Sequence, residues 1–184
     1  KIDELAFRYC EKLKSITIPK NVEEIGDSVL LGSGNLESIC VVPENKNFNS
    51  DNGCNAIINT NTGNLIAGCN NTKIPNDVTS IGDYAFFNCD RIKSIDIPVS
   101  VMYIGRAAFG GCTSLKSITI PNSNTELGGY SIGYSMVGKF DQSLAKEFKI
   151  VCYEGSTAES YAKENGIEYS YIKKTQSISL NKTN

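Results

Sequence analysis

The stretch that decides the fold reads VTSIGDYAFFNCDRIKSIDIPVS at residues 78–100 and VMYIGRAAFGGCTSLKSITIPN at residues 101–122. Ten positions of the first unit recur 23 residues later in the second, among them Ile81, Phe86 and Cys89. A fixed period of about 20–30 residues is typical of a solenoid, in which successive units stack on one another. The sequence therefore predicts a repeat protein.

Stacking is a physical requirement for units of this size. Each unit carries about eight apolar positions but has no second layer of its own to cover them. Burial of one large side chain contributes about 1.5–3 kcal/mol, whereas ordering the backbone costs about 1–2 kcal/mol per residue. A single unit is therefore unstable, and several stacked units share one continuous core.

Each unit contains a short strand. Leu115-x-x-Ile118-x-Ile120 matches the L-x-x-L-x-L core of a leucine-rich repeat. The alternation over residues 118–120 predicts a strand with one face buried, and Pro121 ends it because proline has no N–H for a β-ladder. The run GDYAFFNC after Ile81 predicts a turn and a short helix on the far side.

The pattern I-G-x-x-A-F-x-x-C-x-x-L-x-S-I-x-I-P resembles the BspA-like leucine-rich repeat family, which occurs on the surfaces of bacteria and some protists. The resemblance covers residues 1–172. It implies an α/β-type repeat solenoid, a right-handed coil of mostly short parallel strands with turns and short helices. The asparagine that usually follows the strand in leucine-rich repeats is mostly absent, and other polar residues stand at its place.

The N-terminal part follows the period, and an insertion then interrupts it. Strand positions at Ile18 and Val41 are 23 residues apart, but the next, Ile74, comes 33 residues later. The insertion spans about 44–69 and contains two short apolar runs, 56–58 and 65–67, on either side of turn-forming residues. We expect a β-hairpin here, and the string also resembles an insert common in the family.

The C-terminal part predicts a cap for the solenoid. A last strand is expected at 148–152, followed by a capping box that joins Ser156 to Glu159. The helix is expected over 156–165, with Gly166 as its left-handed stop. Residues 173–184 are predicted to be a linker or the start of a following domain, because ISLNKT resembles the first strand of bacterial immunoglobulin-like domains; a disordered tail is the alternative.

Composition argues against several classes of function. The chain has no histidine, which removes the commonest general base and imidazole metal ligands. No phosphate-binding glycine motif occurs, and the sequence Asp51-Asn52-Gly53 is typical of a turn rather than a calcium site. The net charge is −2, without a basic block for nucleic acid or an apolar run that could span a bilayer. We expect neither enzymatic activity nor a cofactor or metal.

The seven cysteines are expected to be mostly small buried residues. Cys89 and Cys112 occupy one repeat position, as does Cys10. A Cys89–Cys112 bridge between stacked units, and a Cys54–Cys69 bridge across the insertion, remain open as alternatives. No C-x-x-C pair indicates zinc.

A polar ribbon is the candidate partner-binding surface. Its residues occupy the outward positions of the predicted strands: Ser15, Thr17, Ser38, Cys40, Lys73, Ser94, Asp96, Ser117 and Thr119. Solenoids present such faces to partners, but small polar residues also simply suit a solvated sheet, and the ribbon lacks the Tyr, Trp or Arg typical of interface anchors. Tyr84, Tyr103 and Tyr130, predicted on turns, are alternative anchors.

The resemblance implies a secreted or cell-surface bacterial module for protein binding, with adhesion to host or matrix proteins or to other cells. A passive spacer that displays another domain is one alternative. A carbohydrate-binding or hydrolytic unit is another, which requires an aromatic platform or two convergent carboxylates. The chain begins in mid-repeat at Lys1, which predicts a fragment of a longer protein.

Overall fold

The computed structural model describes residues 1–135, 143–145 and 147–173. The predicted start of an immunoglobulin-like domain, at 178–183, lies outside these residues. Within them the strands are β1 (Ser15–Ile18), β2 (Ser38–Val41), β3 (Phe48–Asn49), β4 (Ala56–Asn59), β5 (Asn64–Gly68), β6 (Ser80–Ile81), β7 (Tyr103–Ile104), β8 (Ser117–Thr119), β9 (Glu126–Leu127), β10 (Lys149–Cys152) and β11 (Glu168–Tyr171). One 3-10 helix (Asp51–Gly53) and one α-helix, α1 (Thr157–Asn165), complete this part of the chain.

The leucine-rich-repeat strands form parallel pairs in the expected register. β1 pairs with β2, which places Ile16 opposite Ile39, and β8 pairs with β10, which places Ile118 opposite Ile150. The inward isoleucines of paired units are thus stacked on one another. The predicted solenoid of mostly parallel strands is confirmed.

A second sheet, which the sequence did not predict, runs along the other side of the coil. Its strand order is β3-β4-β5-β6-β7-β9, and its repeat strands β6, β7 and β9 are parallel. Each has two residues and contributes the isoleucine or leucine that precedes the repeat glycine, so that Ile81, Ile104 and Leu127 lie side by side. This second ladder joins the units from the hairpin to β9, in addition to the pairing of the leucine-rich-repeat strands.

The prediction of a short helix after Ile81 is wrong, because residues 83–88 form hydrogen-bonded turns. Tyr84 and Asn88 have left-handed φ values of 56° and 62°, which interrupt a right-handed helix. The amide of Tyr84 donates to the carbonyl of Arg106 (2.9 Å), and that of Asn88 donates to the carbonyl of Gly110 (2.8 Å). Between these contacts the turn also bonds to itself, as where the amide of Phe87 donates to the carbonyl of Tyr84 (3.0 Å). Every second amide is thus directed at the next unit, a pattern that a helix does not allow.

The inserted hairpin is confirmed, and it separates two clusters of buried residues. β4 and β5 pair antiparallel, and β5 continues the second sheet through its parallel pairing with β6. Ile57 and Ile66 pack with the N-terminal units, whereas Ile58 and Leu65 pack with the C-terminal units. Both faces of the hairpin are buried, so it forms the wall between the two cores.

The larger, C-terminal core is centred on an aromatic stack. The rings of Phe86 and Phe109 lie 4.8 Å apart and nearly parallel, and both residues are almost fully buried. Their backbones are held together because the amide of Phe86 donates to the carbonyl of Ala108. The repeat thus places equivalent phenylalanines of successive units directly over one another.

The predicted helix closes the C-terminal end. The Ser156 side chain accepts from the amide of Glu159 (3.2 Å), and the Glu159 carboxylate accepts from the amide of Gly155 (2.6 Å). Gly166 ends the helix in the left-handed conformation. The chain then continues into β11, a strand absent from our prediction, which pairs with β10.

Glu159 makes the stability of this cap dependent on pH. Its carboxylate accepts from Lys163 (2.7 Å) and from the Tyr171 hydroxyl (2.8 Å). Lys163 first, then the Gly155 amide and Tyr171, lower the pKa of Glu159 from 4.5 to about 2. Because the folded-state pKa is the lower one, ionised Glu159 stabilises the fold above pH 4.5, and this contribution is lost as the pH falls towards 2.

We therefore expect Glu159→Gln to lower the free energy of unfolding at pH 7 and to weaken its decline between pH 4.5 and pH 2. Urea unfolding at several pH values measures both effects. Glu164→Gln is the control, because it removes the same charge from an exposed position of the same helix. In this variant the free energy of unfolding should decline with falling pH as in the wild type. An equal pH dependence in Glu159→Gln and the wild type would contradict this role.

Candidate interaction surface

The strand face of the N-terminal units is a regular polar surface. Ser15 lies opposite Ser38, and Thr17 lies opposite Cys40, in the register of β1 and β2. All four residues are exposed, while the intervening Ile39 is buried. The sequence alternation therefore placed these side chains on the outer face correctly.

The C-terminal part of the face is wider than predicted. Ser117 and Thr119 of β8 lie opposite Lys149 and Val151 of β10, and an isolated bridge joins Asp96 to Thr119. β11 then extends the face with Glu168 and Ser170. The sequence reasoning missed this last strand, although the aromatic alternation in EYSY after Gly166 was a signal for it.

The face is interrupted between its two halves, so the predicted residues do not form one continuous ribbon. Lys73 and Ser94 are exposed as expected, but neither lies in a strand. The amide of Lys73 donates to the carbonyl of Cys54 (3.0 Å) instead of to β2. The inserted segment thus occupies the place where the next strand would pair with β2.

A groove of about 400 Å³ lies at this interruption. The free edge of β2 is bonded by side chains: the amide of Val41 donates to Ser50 Oγ (2.8 Å), and that of Ile39 donates to Asn55 Oδ1 (3.4 Å). Ser38, Cys40, Pro43 and the loop through Asn52 line the groove, among others. The insertion therefore adds a polar recess to an otherwise smooth strand face.

Charged side chains border the face on the side where the strands begin. Arg91 donates to Glu37 Oε1 (3.0 Å) and to Asn35 Oδ1 (2.7 Å), and Lys14 reaches the same Glu37 oxygen (3.3 Å). Hydrogen bonds from Arg91 and then Lys14 hold the pKa of Glu37 below its ordinary value. These contacts join the units before and after the insertion, although exposed ion pairs contribute only about 0–1 kcal/mol each.

The tyrosines proposed as alternative anchors differ in their positions. Tyr84 lies on a turn and packs edge-on against Phe87, and Tyr130 packs edge-on against Tyr134. Tyr103 is not on a turn: it lies in β7 of the second sheet and is 40% exposed. The unpredicted second sheet accounts for this error.

A family model for the BspA type leucine rich repeat region matches residues 1–55 and 56–140 in six copies. The chain belongs to the BspA-type leucine-rich repeat family. Its members share the solenoid fold described above, and this family and fold are typically non-enzymatic. No curated protein sequence matches the chain.

Solved structures of bacterial leucine-rich repeat proteins have the same fold. A leucine-rich repeat protein from Eubacterium ventriosum is 27% identical, with a TM-score of 0.62, over 76% of this chain and 36% of its own. A leucine rich cell surface protein from Faecalibacterium prausnitzii is 20% identical, with a TM-score of 0.55, over 94% of this chain and 51% of its own. This BspA-type chain thus spans about a third to a half of these proteins.

The cysteines of this BspA-type chain offer little reactive chemistry. All seven are free thiols in the structure, and five are buried. Burial raises the pKa of Cys89 and Cys112 well above the ordinary value, and it also raises that of Cys54, Cys69 and Cys152. Because the thiolate is the nucleophile and metal ligand, these five residues act as packing groups.

The described parts of the chain contain no cluster of three or more Cys, Asp or Glu residues able to hold a metal ion. In the same ranges, no helix has the length and apolar character needed to cross a bilayer. The features that remain for a binding role in this BspA-type chain are its surfaces.

Proposed function

We propose that this chain is a non-enzymatic protein-interaction module of a bacterial surface or secreted protein, and that it binds an extracellular protein through its strand face. The observation that carries the proposal is the groove beside β2, where the insertion opens the face. Repeat solenoids use extended concave surfaces for binding, and the recess gives this face a distinct shape for a partner to fit. Adhesion to host or matrix proteins, or to other cells, is the role that family membership favours.

The groove offers two kinds of contact to a protein partner. Ser38 and Cys40 project outward from the rigid strand β2, and the exposed loop residues Asp51 and Asn52 stand at its opposite side. Side chains on a strand hold their positions better than side chains on a loop. The strand can therefore fix the position of a bound partner. The loop, whose sequence the repeat does not constrain, provides specificity.

A passive spacer is the second candidate function. It is favoured because the predicted ribbon residues include no Tyr, Trp or Arg, the residues that usually dominate binding energy. A spacer needs only a stiff, soluble solenoid, and the two ladders supply that stiffness.

Binding to immobilised extracellular matrix proteins and glycans tests the proposal. We compare the wild type with two variants, Ser38→Arg with Cys40→Arg at the groove, and Ser94, Asp96, Ser117 and Thr119 all changed to Arg on the C-terminal strand face. We expect saturable binding to a protein that the groove variant loses, because two arginine side chains fill the recess and exclude the partner.

Loss of binding in the second variant alone would move the site to the C-terminal strand face. Binding that both variants retain would exclude the strand face, and no binding at micromolar protein would favour the spacer. Thermal unfolding of each variant, followed by circular dichroism, separates loss of binding from loss of fold.

A further inference from the structure

One unit exposes three large apolar side chains where its neighbours carry polar ones. Val99, Met102 and Tyr103 are 67%, 52% and 40% exposed. The equivalent residues of the adjacent units are Asn76, Thr79 and Ser80 before it, and Asn122, Thr125 and Glu126 after it. Single exposed apolar residues are ordinary, but a group of them on a soluble protein marks an interaction site.

These side chains are presented by an ordered backbone. The Asn122 amide group donates to the carbonyl of Val99 (2.9 Å) and to Met102 Sδ (3.1 Å), which joins both residues to the following unit. Tyr103 lies in β7, which is bonded to β6 on one side and to β9 on the other. The patch is therefore preorganised, which lowers the entropy cost of binding.

Carboxylates flank the exposed tyrosine ring. Glu126 lies directly opposite Tyr103 in the register of β7 and β9, and Asp83 belongs to the preceding unit. A Cβ on Gly105, two residues after Tyr103, would lie 2.5 Å from Asp83 Oδ1, so this carboxylate stands on the same part of the surface. Burial first, and then the charges of Asp83 and Glu126, raise the pKa of the Tyr103 phenol. The backbone amide of Arg106 donates to Asp83 Oδ1 (2.8 Å), which holds this carboxylate against the unit that carries Tyr103.

The surface continues past Glu126 into a groove of about 390 Å³ between β9 and α1. Leu127, Tyr161 and Glu164 are among the residues that line it. The amides of Glu126 and Gly128 donate to the carbonyls of Met102 (2.9 Å) and Ile104 (2.8 Å) in the preceding unit. The amide and carbonyl of Leu127 therefore point away from that unit. Because β9 is the last strand of the sheet, these two groups lie at the sheet edge. An extended chain in this groove therefore meets a strand edge and a second carboxylate.

We propose that the face formed by Val99, Met102, Tyr103 and the groove beside β9 binds an extended segment of a partner protein. This segment carries lysine or arginine between apolar residues. A basic side chain lies over the Tyr103 ring between Asp83 and Glu126, where cation–π attraction and charge act together. The neighbouring apolar side chains of the segment cover Val99 and Met102. Charge complementarity selects this occupant, and the face is separate from the strand face of the proposed function.

Binding to immobilised synthetic peptides tests the proposal by biolayer interferometry. The probe is a peptide of alternating leucine and lysine flanked by glycine, and its counterpart has glutamate in place of lysine. We expect the lysine peptide alone to bind, with an affinity that falls between 50 and 500 mM NaCl because salt screens exposed charges. No binding of the lysine peptide would overturn the proposal.

The repeat itself supplies the matched variant. Val99→Asn, Met102→Thr and Tyr103→Ser together give this unit the residues of the preceding one, so we expect an unchanged fold and binding at least about tenfold weaker. Glu126→Gln should weaken binding and reduce its salt dependence. Tyr9→Ser, which removes a tyrosine elsewhere that is even more exposed (52%), should have no effect.

Peptide binding that the triple variant retains would exclude this face. If the wild type bound a glycan but not the lysine peptide, and the triple variant lost the glycan binding, the proposal would also be overturned. The tyrosine would then be assigned to a sugar site instead.

Discussion

Phe86→Ala is expected to lower the free energy of unfolding by about 3–5 kcal/mol, the range found when a buried phenylalanine is truncated. The Phe86 side chain is fully buried and stacks on Phe109 at 4.8 Å, so its loss removes contacts in two units at once. Its ring also packs so closely against Gly68 that a Cβ there would lie 2.1 Å from a ring atom. The hairpin therefore loses one of its contacts with this core as well, beside those made by Ile58 and Leu65.

Equilibrium unfolding in urea measures the effect, and the next residue provides the control. Phe87 is half-buried, and its ring packs edge-on against Tyr84. We expect Phe87→Ala to cost much less than Phe86→Ala, because less surface is removed from the core. Similar losses in the two variants would mean that the stack is not the centre of the core.

Gly105→Ala is expected to destabilise the protein by about 1–3 kcal/mol, because an added methyl group overpacks a close contact. A Cβ at Gly105 would lie 2.5 Å from the backbone nitrogen of Asp83 in the preceding unit. Backbone atoms cannot move aside as a flexible side chain does. The glycine is thus required for the spacing between these two units.

Gly82→Ala is the matched control at the same repeat position. Gly82 follows the hairpin rather than a regular unit, and the nearest atom to its Cβ would be the Leu65 carbonyl oxygen at 3.2 Å. We expect this variant to be near neutral, since the small crowding is offset by the reduced freedom of the unfolded chain. Thermal unfolding of both variants checks the difference, and equal losses would contradict this account of unit spacing.

The fold was predictable wherever a residue pattern had a single structural meaning. The 23-residue period fixed which isoleucines stack, and the turn-rich interval between residues 58 and 65 identified the hairpin. The pair Ser156 and Glu159 marked the start of α1. Each of these signals acts locally or repeats without change, so the sequence alone was enough.

The parts that were not predicted depend on contacts between units. A strand of two residues, such as Ser80–Ile81, is too short to show alternation, and the second sheet therefore gave no signal. The turn after it was predicted to include a short helix because the sequence of one unit does not reveal that amides such as that of Tyr84 bond to the next unit.

The surface features also divide into those that the sequence predicted and those that depend on contacts between units. Outward positions such as Ser15 and Thr17 were placed correctly by alternation. The groove was not foreseen, because it arises where Ser50 and Asn55 cap β2 with side chains instead of strand pairing. The position of Tyr103 in an exposed patch was not foreseen either, since it depends on β7 lying beside β9.

The position of the hairpin has a consequence for cooperativity. In a linear array, each unit is stabilised only by its neighbours, so order spreads along the chain from one interface to the next. The hairpin is the neighbour of both cores, with Ile57 facing one and Ile58 facing the other. It is therefore the link through which folding of either half favours folding of the other, and the insertion that opens a groove in the strand face also decides whether the solenoid melts as one body or as two.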